Sequence, residues 1–421
     1  MRGFDSKLVS EQLAEQKLRF EMFPDDNGWL VFFDVGDGEN AVIPVMMFLP
    51  SDGEYLFIFT PLMSLPQLRT KLDQTNRLRK DDKMADGLAK ILETHQQVIE
   101  DGFTAEKGQN FKTYAVSNLR GGVGKTSIAF NLAYELSRRH ALLVTDVCPQ
   151  CNTTEMLLGD LKPKVSIYDA LQPAILGPAF GSLPEDLSYR IAQYCDDFKG
   201  GRPAYLVAGD SELFAFPSTL YQQLNIAYAQ QNKVAVERLL HGLRTILDAE
   251  AKAMNASRIL IDTSPFYAGG THLAWCAADA LIVPVRVDEH SVESLELLCK
   301  MLADPKRDFQ MWNDRAGSLS TPKIAAIVMT MVGSKSQIRS TPDRASLMYI
   351  ERAYNIAREY RHLLAVDDPS DAFVLTDDFH SAGRISGARR IPISELKVAS
   401  FHTVDNRRRY QRELQYLVSM I

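Results

Sequence analysis

Apolar and polar positions follow different patterns in the two parts of this chain. In the first hundred residues, short runs rich in Val, Ile, Phe and Met are separated by turns rich in Asp, Asn and Gly. Such spacing is typical of antiparallel strands. The strand-like runs are Lys17–Phe23, Trp29–Val35, Ala41–Leu49 and Tyr55–Thr60. Because an amphipathic pattern follows at about Leu65–Ile99, we predict a small α+β domain with a leading helix, an antiparallel meander and closing helices.

From residue 113 onward, continuous apolar runs alternate with helical patterns. Strands are predicted at 113–117, 141–145, 204–208, 259–262, 280–285 and 324–330. One long helical pattern runs from about Asn225 to Met254. Buried strands separated by helices indicate a doubly wound, mostly parallel sheet covered on both faces. The predicted fold class is therefore α/β with an N-terminal α+β domain. We place the domains at 1–108 and 109–421, with the polar segment 101–112 as a linker.

Charge and cysteine content limit the possible functions. The 421 residues carry a net charge of −6, so any DNA contact must come from a local basic patch. Residues 20–68 contain eight Asp and Glu and no Lys or Arg. Five cysteines in a chain of this length favour a reducing compartment. The start lacks the apolar core of a signal peptide, and no apolar run reaches the ~18 residues of a membrane span. We therefore expect a cytoplasmic protein with no membrane partner.

A glycine-rich segment, NLRGGVGKT at 118–126, follows the first strand of the second part. Glycines let the backbone curl so that several N–H groups face a phosphate, and a helix beginning at the loop adds its positive end. Lys125 supplies charge for the phosphates, and Thr126 supplies a hydroxyl for Mg²⁺. The predicted nucleotide-binding residues are Arg120, Gly121, Gly122, Val123, Gly124, Lys125, Thr126 and Ser127.

The general phosphate-loop pattern would place Gly at position 119, where this chain has Leu. The segment RGGVGKTS matches a deviant form of the loop instead. With LLVTDVCPQCNTTEMLLG at 142–159 and LIDTSPFYAGGTHLAWCAADALIVPVRVDEHSVESL at 260–295, it resembles the ParA/MinD/Soj family of positioning ATPases. The resemblance covers about 113–421. It implies a P-loop NTPase fold, ATP and Mg²⁺ as cofactors, and a homodimer that forms when ATP binds.

The resemblance also implies roles for single residues. Arg120 stands where the family has a Lys that reaches across the dimer, so Lys125, Arg120 and Asp146 are the expected catalytic residues. Thr126, Asp146 and Asp262 are the expected metal-site residues, and the segment Thr263–Pro265 matches the part that senses the γ-phosphate. A second Asp of the family is replaced by Cys148, whose neutral thiol cannot activate water comparably. We therefore predict intact ATP binding with weak hydrolysis.

Cys148 and Cys151 also form a Cys-x-x-Cys pattern, which leaves a redox or zinc function as an alternative. Structural zinc normally requires four ligands, and no second cysteine pair exists in this chain. A thioredoxin-type pair belongs to a different fold context.

A basic run near the end of the chain suggests a nucleic-acid surface. Residues 384–412 hold eight Lys and Arg against two acids, a composition that suits non-specific phosphate contacts but also a solvated helix face. ParA-like relatives bind DNA in this part, so DNA is an expected partner. The candidate residues are Arg389, Arg390, Arg407, Arg408 and Arg409. The apolar side of Arg407–Ile421 fits a membrane-binding helix of the MinD type less well than a helix packed on the sheet.

The N-terminal part resembles the YbjN/type III secretion chaperone-like α+β fold in its pattern, and its acidity argues against an operator-binding winged helix. Two functions remain open. The first is an ATP-switched dimer that binds DNA non-specifically and positions a plasmid, chromosome or protein cargo, with a ParB-like activator and association with the nucleoid. The second is a non-hydrolysing adaptor that presents residues 1–108 to a protein partner. A metabolic P-loop enzyme lacks supporting motifs.

Overall fold

The computed structural model describes the backbone of residues 19–22, 28–34, 42–48, 56–59, 82–102, 111–333, 342–377, 380–397 and 404–421. The leading helix predicted for the first residues lies outside this part. By packing, the chain separates into two units, Met1–Ala85 and Asp86–Ile421. The predicted boundary at residue 108 stays a prediction.

The first unit contains a sheet of four antiparallel strands in chain order. These strands coincide with the four apolar runs, except that β2 begins one residue before its run, at Gly28. They are β1 (Arg19–Met22), β2 (Gly28–Asp34), β3 (Val42–Phe48) and β4 (Leu56–Phe59). Helix α1 (Asp82–Asp101) spans the boundary between the units.

The second unit contains an eight-stranded sheet surrounded by helices. Its strands are β5 (Thr113–Val116), β6 (Leu142–Asp146), β7 (Ser188–Arg190), β8 (Ala204–Val207), β9 (Arg258–Asp262), β10 (Ala280–Arg286), β11 (Lys323–Val332) and β12 (Phe373–Asp377). Its first helices are α2 (Lys125–Ser137), α3 (Asn152–Leu158), α4 (Ile167–Leu176), α5 (Phe216–Ala229), α6 (Lys233–Leu240) and α7 (Gly242–Ala253). The others are α8 (Gly270–Ala277), α9 (Glu289–Ala303), α10 (Asp308–Ala316), α11 (Arg344–Glu359), α12 (His380–Arg389) and α13 (Val404–Ser419).

The strand order is β12-β11-β10-β5-β9-β6-β8-β7, and only the edge strand β7 pairs antiparallel with its neighbour. The doubly wound, mostly parallel sheet predicted from the sequence is therefore confirmed. β5 lies between β10 and β9, and β9 lies between β5 and β6. Because parallel strands end at the same edge, the loops that follow β5, β6 and β9 converge there, where α/β sheets place their ligands.

The helix that follows the glycine-rich loop is buried on nearly every side. Ile128, Phe130 and Leu132 of α2 are at most 3% exposed, which is the pattern of a helix enclosed by other elements. They share one core with strand residues and with Tyr416 and Leu417 of α13. This enclosure fixes α2, and therefore the loop that precedes it, against the sheet.

The predicted long helix at 225–254 is wrong, because this segment forms the end of α5 and two further helices, α6 and α7. The chain turns at Gln231, whose φ of 54° is left-handed. Asn232 then starts α6 by accepting a hydrogen bond from the backbone N–H of Ala235 at 3.0 Å, as N-cap residues do. Sequence periodicity alone did not indicate the two edge strands β7 and β12.

Candidate nucleotide-binding site

The glycine-rich loop connects β5 to α2 at the centre of the sheet edge. Gly122 and Gly124 have φ values of 75° and 90°, a left-handed backbone that non-glycine residues rarely adopt. Nothing lies within 4 Å of where their Cβ atoms would be, so the backbone conformation, rather than crowding, requires glycine. Asn118 anchors the loop's start, donating to the Pro284 carbonyl at 2.6 Å and accepting from Ser294 Oγ at 2.6 Å.

Lys125 is enclosed by this loop. Its side chain donates from Nζ to the Arg120 carbonyl oxygen at 2.7 Å, and the residue is 7% exposed. Burial lowers the pKa of Lys125 to about 8, while the nearby Asp262 carboxylate opposes that shift. A buried ammonium that donates to a loop carbonyl is well placed to exchange that contact for a phosphate oxygen.

Arg120 lies at the outer surface of the loop. Its side chain is 40% exposed, and Nε is 3.7 Å from Oδ1 of Asp288. Asp288 also approaches Arg286 at 3.4 Å and caps α9 through the Ser291 backbone N–H at 3.0 Å. The loose contact with a partly exposed carboxylate leaves the guanidinium accessible from outside the molecule. This placement is compatible with the predicted reach across a dimer, which stays a prediction.

Asp262, at the end of β9, joins the loop to α3. Its Oδ2 accepts from Thr126 Oγ1 at 3.1 Å and from Thr153 Oγ1 at 2.6 Å. Its other oxygen, Oδ1, is buried and has no hydrogen-bond partner among the described residues. Burial raises the pKa of this carboxyl. An unpaired buried carboxylate oxygen beside a threonine hydroxyl is the donor set that a phosphate-bound Mg²⁺ requires, so the residues fit this ion.

Asp146 ends the neighbouring strand β6 and is the Cα partner of Asp262. Its Oδ1 accepts from the Cys148 N–H at 3.0 Å. Its Oδ2 accepts from the N–H and the hydroxyl of Thr154, at 2.9 and 3.0 Å. Burial and the nearby Asp262 raise the pKa of Asp146. Since each oxygen already accepts from the chain, Asp146 braces the segment after β6 and the start of α3, and its direct role toward metal or water stays a prediction.

Cys148 occupies the position where the family resemblance expects an acid. The residue is 5% exposed, and burial raises the pKa of its thiol to about 11. Burial likewise raises the pKa of Cys151 to about 12. Both thiols are free, and their raised pKa values disfavour the thiolate form that redox-active cysteines use. Within the described residues, neither belongs to a cluster of metal-binding side chains.

The segment after Asp262 folds back on the loop. Thr263 Oγ1 donates to the Val116 carbonyl at 2.9 Å, and Ser264 Oγ lies 2.7 Å from the hydroxyl of Thr271. Gly270 passes so close to the strand-end loop that a Cβ would lie 2.8 Å from the Val147 carbonyl oxygen. The segment predicted to sense phosphate is therefore bonded to the end of β5, and the chain that follows it passes close to the loop after β6.

A cavity of about 390 Å³ extends from the glycine-rich loop toward the C-terminal helices. Val123, Gly124 and Ser127 line the cavity together with residues of α12. Its size and mixed lining suit a nucleoside attached to phosphates on the loop. The residues of the far walls are Thr330, Met331, Thr376, Asp377, Gly383, Arg384, Ser386, Gly387 and Ile393. Position in the sequence did not reveal these residues, since they come from four separate segments of the chain.

The predicted DNA-binding arginines have different environments. Arg389 and Arg408 are exposed, and Arg390 is half-buried with Nη2 2.9 Å from Asp160 Oδ1. Arg407 donates from Nη2 to the Ser394 carbonyl at 3.4 Å. Arg409 is different, because its side chain is 6% exposed and contacts Asp377 and Glu413, each at 3.0 Å. We therefore leave Arg409 out of the candidate DNA surface.

The fold and this site together define a P-loop nucleotide-binding protein. The phosphate loop follows the central strand β5, and the Walker-type carboxylate, Asp262, ends β9, the neighbouring strand in the sheet. Residues 111–311 match the family model described as AAA domain. This match confirms the resemblance to ParA/MinD-like P-loop proteins found in the sequence.

Several known proteins are similar to this chain. Protein IncC of Escherichia coli is 25% identical over 229 residues, covering 52% of this chain and 54% of that protein. An uncharacterized protein of Pseudomonas putida is 28% identical over 186 residues, covering 44% of this chain and 59% of its own length. The chain thus spans between half and three fifths of these relatives. The structure of an ATP complex of a McdA variant from Cyanothece superposes with a TM-score of 0.52 at 18% identity, covering 74% of this chain and 97% of that one.

Among the described residues, no helix is both long and apolar enough to span a membrane.

Proposed function

We propose that this protein is a Mg²⁺- and ATP-binding switch of the ParA type, which dimerises when ATP binds. The observation that supports this most directly is the unpaired buried Oδ1 of Asp262, which lies on the same carboxylate that accepts from Thr126. A buried acceptor without a partner costs about 1–3 kcal/mol, a cost that a bound cation would remove.

In this proposal, the amides of Gly121 to Thr126 and the ammonium of Lys125 hold the phosphates. Thr126 Oγ1 ligates Mg²⁺, and Asp262 holds it through water. When bound, Mg²⁺ neutralises charge on the β- and γ-phosphates. The cavity behind the loop receives the nucleoside, and Arg120 reaches the phosphates of a partner protomer, where a guanidinium can form two parallel hydrogen bonds.

We further propose that hydrolysis is weak. The thiol of Cys148 is neutral and buried, so it cannot accept a proton from water. Asp146 cannot substitute easily, because its two oxygens already accept hydrogen bonds from Cys148 and Thr154. Nucleotide therefore acts mainly as a conformational signal rather than as a source of rapid turnover.

The output that we propose is non-specific DNA binding by the ATP-bound dimer, which positions or partitions a plasmid, chromosome or protein cargo in the cytoplasm, on the nucleoid. The exposed Arg389 and Arg408 support this output, since such cations contact phosphates without reading sequence. Residues 1–108 or a ParB-like activator would provide the protein contact. The alternative is a non-hydrolysing adaptor that presents residues 1–108 to a partner, and Cys148 favours it.

Titration calorimetry with ATP, with and without Mg²⁺, tests the nucleotide proposal. Co-sedimentation with DNA in ATP, ADP and a non-hydrolysable analogue, together with a mass measurement, tests the output. We expect dimers and DNA binding with ATP or the analogue, and neither with ADP. Nucleotide-dependent dimers without DNA binding would favour the adaptor. No measurable affinity for ATP would contradict both functions.

A further inference from the structure

Thr153 makes the shorter of two hydroxyl hydrogen bonds to Oδ2 of Asp262, at 2.6 Å against 3.1 Å for Thr126. Thr153 is the second residue of α3, and neither it nor Asp262 is more than 1% exposed. The two residues are 109 positions apart in the chain, so the fold brings α3 to the end of β9. The contact therefore joins the segment after β6 to the acid proposed to hold Mg²⁺.

The hydroxyl of Thr153 has one proton to donate, and this carboxylate receives it. A buried hydroxyl costs free energy unless it is hydrogen-bonded. Thr153 meets this need with a distant acid rather than with a nearby backbone carbonyl. A hydrogen bond to an ionised carboxylate is about twice as strong as one between neutral groups. The bond is therefore strong enough to hold the Asp262 carboxylate in one orientation.

Both hydroxyl bonds fall on the same oxygen, which determines how Asp262 faces the site. Thr126 donates to Oδ2 from the glycine-rich loop, and Thr153 donates from α3. Oδ1 is buried and has no hydrogen-bond partner in the part of the chain that the structure describes. Carboxylates in metal sites are commonly held by such outer contacts, and losing one typically lowers metal affinity about 10–100-fold. The two donors thus leave Oδ1 available to an ion or to its water.

The neighbouring Thr154 has a different task. Its N–H and hydroxyl donate to Oδ2 of Asp146 at 2.9 and 3.0 Å, and its Oγ1 accepts from the Gly209 N–H at 2.8 Å. Asp146 also accepts from the Cys148 N–H through Oδ1, so both of its oxygens are engaged by the protein. Thr153 instead contacts the acid whose second oxygen no described residue engages. Of the two threonines, Thr153 is therefore the one placed to affect an incoming ion.

We propose that Thr153 is a positioning residue for Mg²⁺: its hydroxyl holds Oδ2 of Asp262, so that Oδ1 stays available to the water shell of the ion. The inference rests on the proposed nucleotide-binding function and adds to it a residue that does not touch the nucleotide. Thr126 has to bond Asp262 through its proton and ligate the ion through its oxygen. Thr153 has no such double task, and it keeps the carboxylate in place while the ion exchanges. The position of α3 thereby becomes part of the metal site.

Calorimetry on the full chain measures ATP affinity with and without Mg²⁺ for two variants. Thr153→Val keeps the shape of the side chain and removes the hydroxyl, whereas Thr153→Ser keeps the hydroxyl. We expect Thr153→Val to reduce the gain in affinity from Mg²⁺ about tenfold, and Thr153→Ser to retain that gain. Affinity without Mg²⁺ should be the same in both variants as in the natural protein. The matched control is Thr145→Val on β6, a buried threonine whose hydroxyl lies 3.4 Å from the Val207 carbonyl oxygen, and it should keep the natural gain.

A double-mutant cycle tests whether Thr153 acts through Asp262. In the Asp262→Asn background, Thr153→Val should cause no further loss of Mg²⁺-dependent affinity, because the carboxylate that Thr153 holds is already gone. If urea unfolding shows that Thr153→Val does not fold, Thr153→Ala takes its place. An unchanged Mg²⁺ gain without the hydroxyl, an equal loss in Thr153→Ser, or a further loss in the Asp262→Asn background would each overturn the inference. Natural protein that binds ATP with no effect of Mg²⁺, or does not bind it, would instead contradict the proposed function.

Discussion

Asp146 and Asp262 are Cα partners at the ends of the neighbouring strands β6 and β9, yet only Asp262 has a carboxylate oxygen without a partner. Both oxygens of Asp146 accept hydrogen bonds from the chain. The two acids therefore have different tasks in the site. Asp146 holds the segment after β6 and the start of α3, whereas Asp262 has one oxygen that no described residue engages.

This difference predicts distinct effects of two equivalent substitutions. Asp262→Asn should remove most of the Mg²⁺-dependent part of ATP affinity, because the carboxylate that holds the ion is lost. Asp146→Asn should lower the free energy of unfolding by about 1–3 kcal/mol, because an amide group would face backbone donors. Calorimetry with and without Mg²⁺ and urea unfolding measure the two effects. Equal losses of Mg²⁺ dependence in both variants would show that Asp146 also serves the ion.

Lys125 should be essential for binding the triphosphate. The Lys125→Ala variant removes the buried ammonium beside the phosphate loop, and we expect ATP affinity to fall about a hundredfold, a loss of about 2.7 kcal/mol. Lys252→Ala serves as the control, because this lysine is exposed at the end of α7. If Lys125→Ala binds ATP as tightly as the natural protein does, the nucleotide does not bind at the glycine-rich loop.

Much of this site could be predicted from the sequence because its parts are local. The glycines of the loop, Lys125 and Thr126 are consecutive, and Asp262 directly follows an apolar run. The cavity beside the glycine-rich loop could not be found this way, since its lining residues come from distant segments. The environment of Arg409 could not be predicted from the sequence either. In sequence it is one cation of a basic run, whereas packing places it against Asp377 and Glu413.

Most strands of the larger sheet could also be predicted, because the signal for a buried strand is local in the sequence. Fully buried strands such as β10 require continuous apolar residues, which are visible in sequence. The break between α5 and α6 depends instead on the left-handed backbone of Gln231. Glutamine is not a typical turn residue, so no signal in the sequence marks a break at Gln231. The helical pattern on both sides therefore predicts one helix.

Cys148 should limit hydrolysis. We expect Cys148→Asp to raise the turnover of ATP at least about tenfold, because a carboxylate can orient and accept a proton from water. Cys148→Ser is the matched control, since a hydroxyl of similar size remains neutral, and its turnover should match that of the natural protein. Turnover in the natural protein as fast as in ordinary family members, or no gain in Cys148→Asp, would refute this prediction.

Two buried histidines should make the fold sensitive to acid. Burial lowers the pKa of both His95 and His272 to about 3, from an ordinary value of 6.5. Because the pKa is lower in the folded state, each histidine binds a proton at a higher pH in the unfolded chain than in the folded protein. The stability contributed by each neutral histidine is therefore present above pH 6.5 and is lost as the pH falls from about 6.5 toward 3.

The free energy of unfolding should fall by at most about 1.4 kcal/mol per pH unit for each histidine. Glu413 acts in the opposite direction, because burial raises its pKa to about 7. The informative measurement is therefore the difference in pH slope of urea unfolding between the natural protein and His272→Gln. We expect a shallower loss below pH 6.5 in the variant. Identical slopes would mean that His272 is not a neutral buried group.

Adjacent arginines in α13 should respond in opposite ways. Arg409 is buried and contacts Asp377 and Glu413, so Arg409→Ala removes the cation beside the buried Glu413 carboxyl and should cost about 3–5 kcal/mol of stability. Arg408 is exposed, so Arg408→Ala should change stability by less than about 0.5 kcal/mol.

If this face binds DNA, Arg408→Ala should weaken binding to all sequences and reduce the slope of log affinity against log salt concentration by about 1. Urea unfolding and DNA titrations at several salt concentrations measure both effects. Unchanged DNA affinity in Arg408→Ala would remove this arginine from the proposed DNA surface, and a fully stable Arg409→Ala would contradict the buried ion pairs.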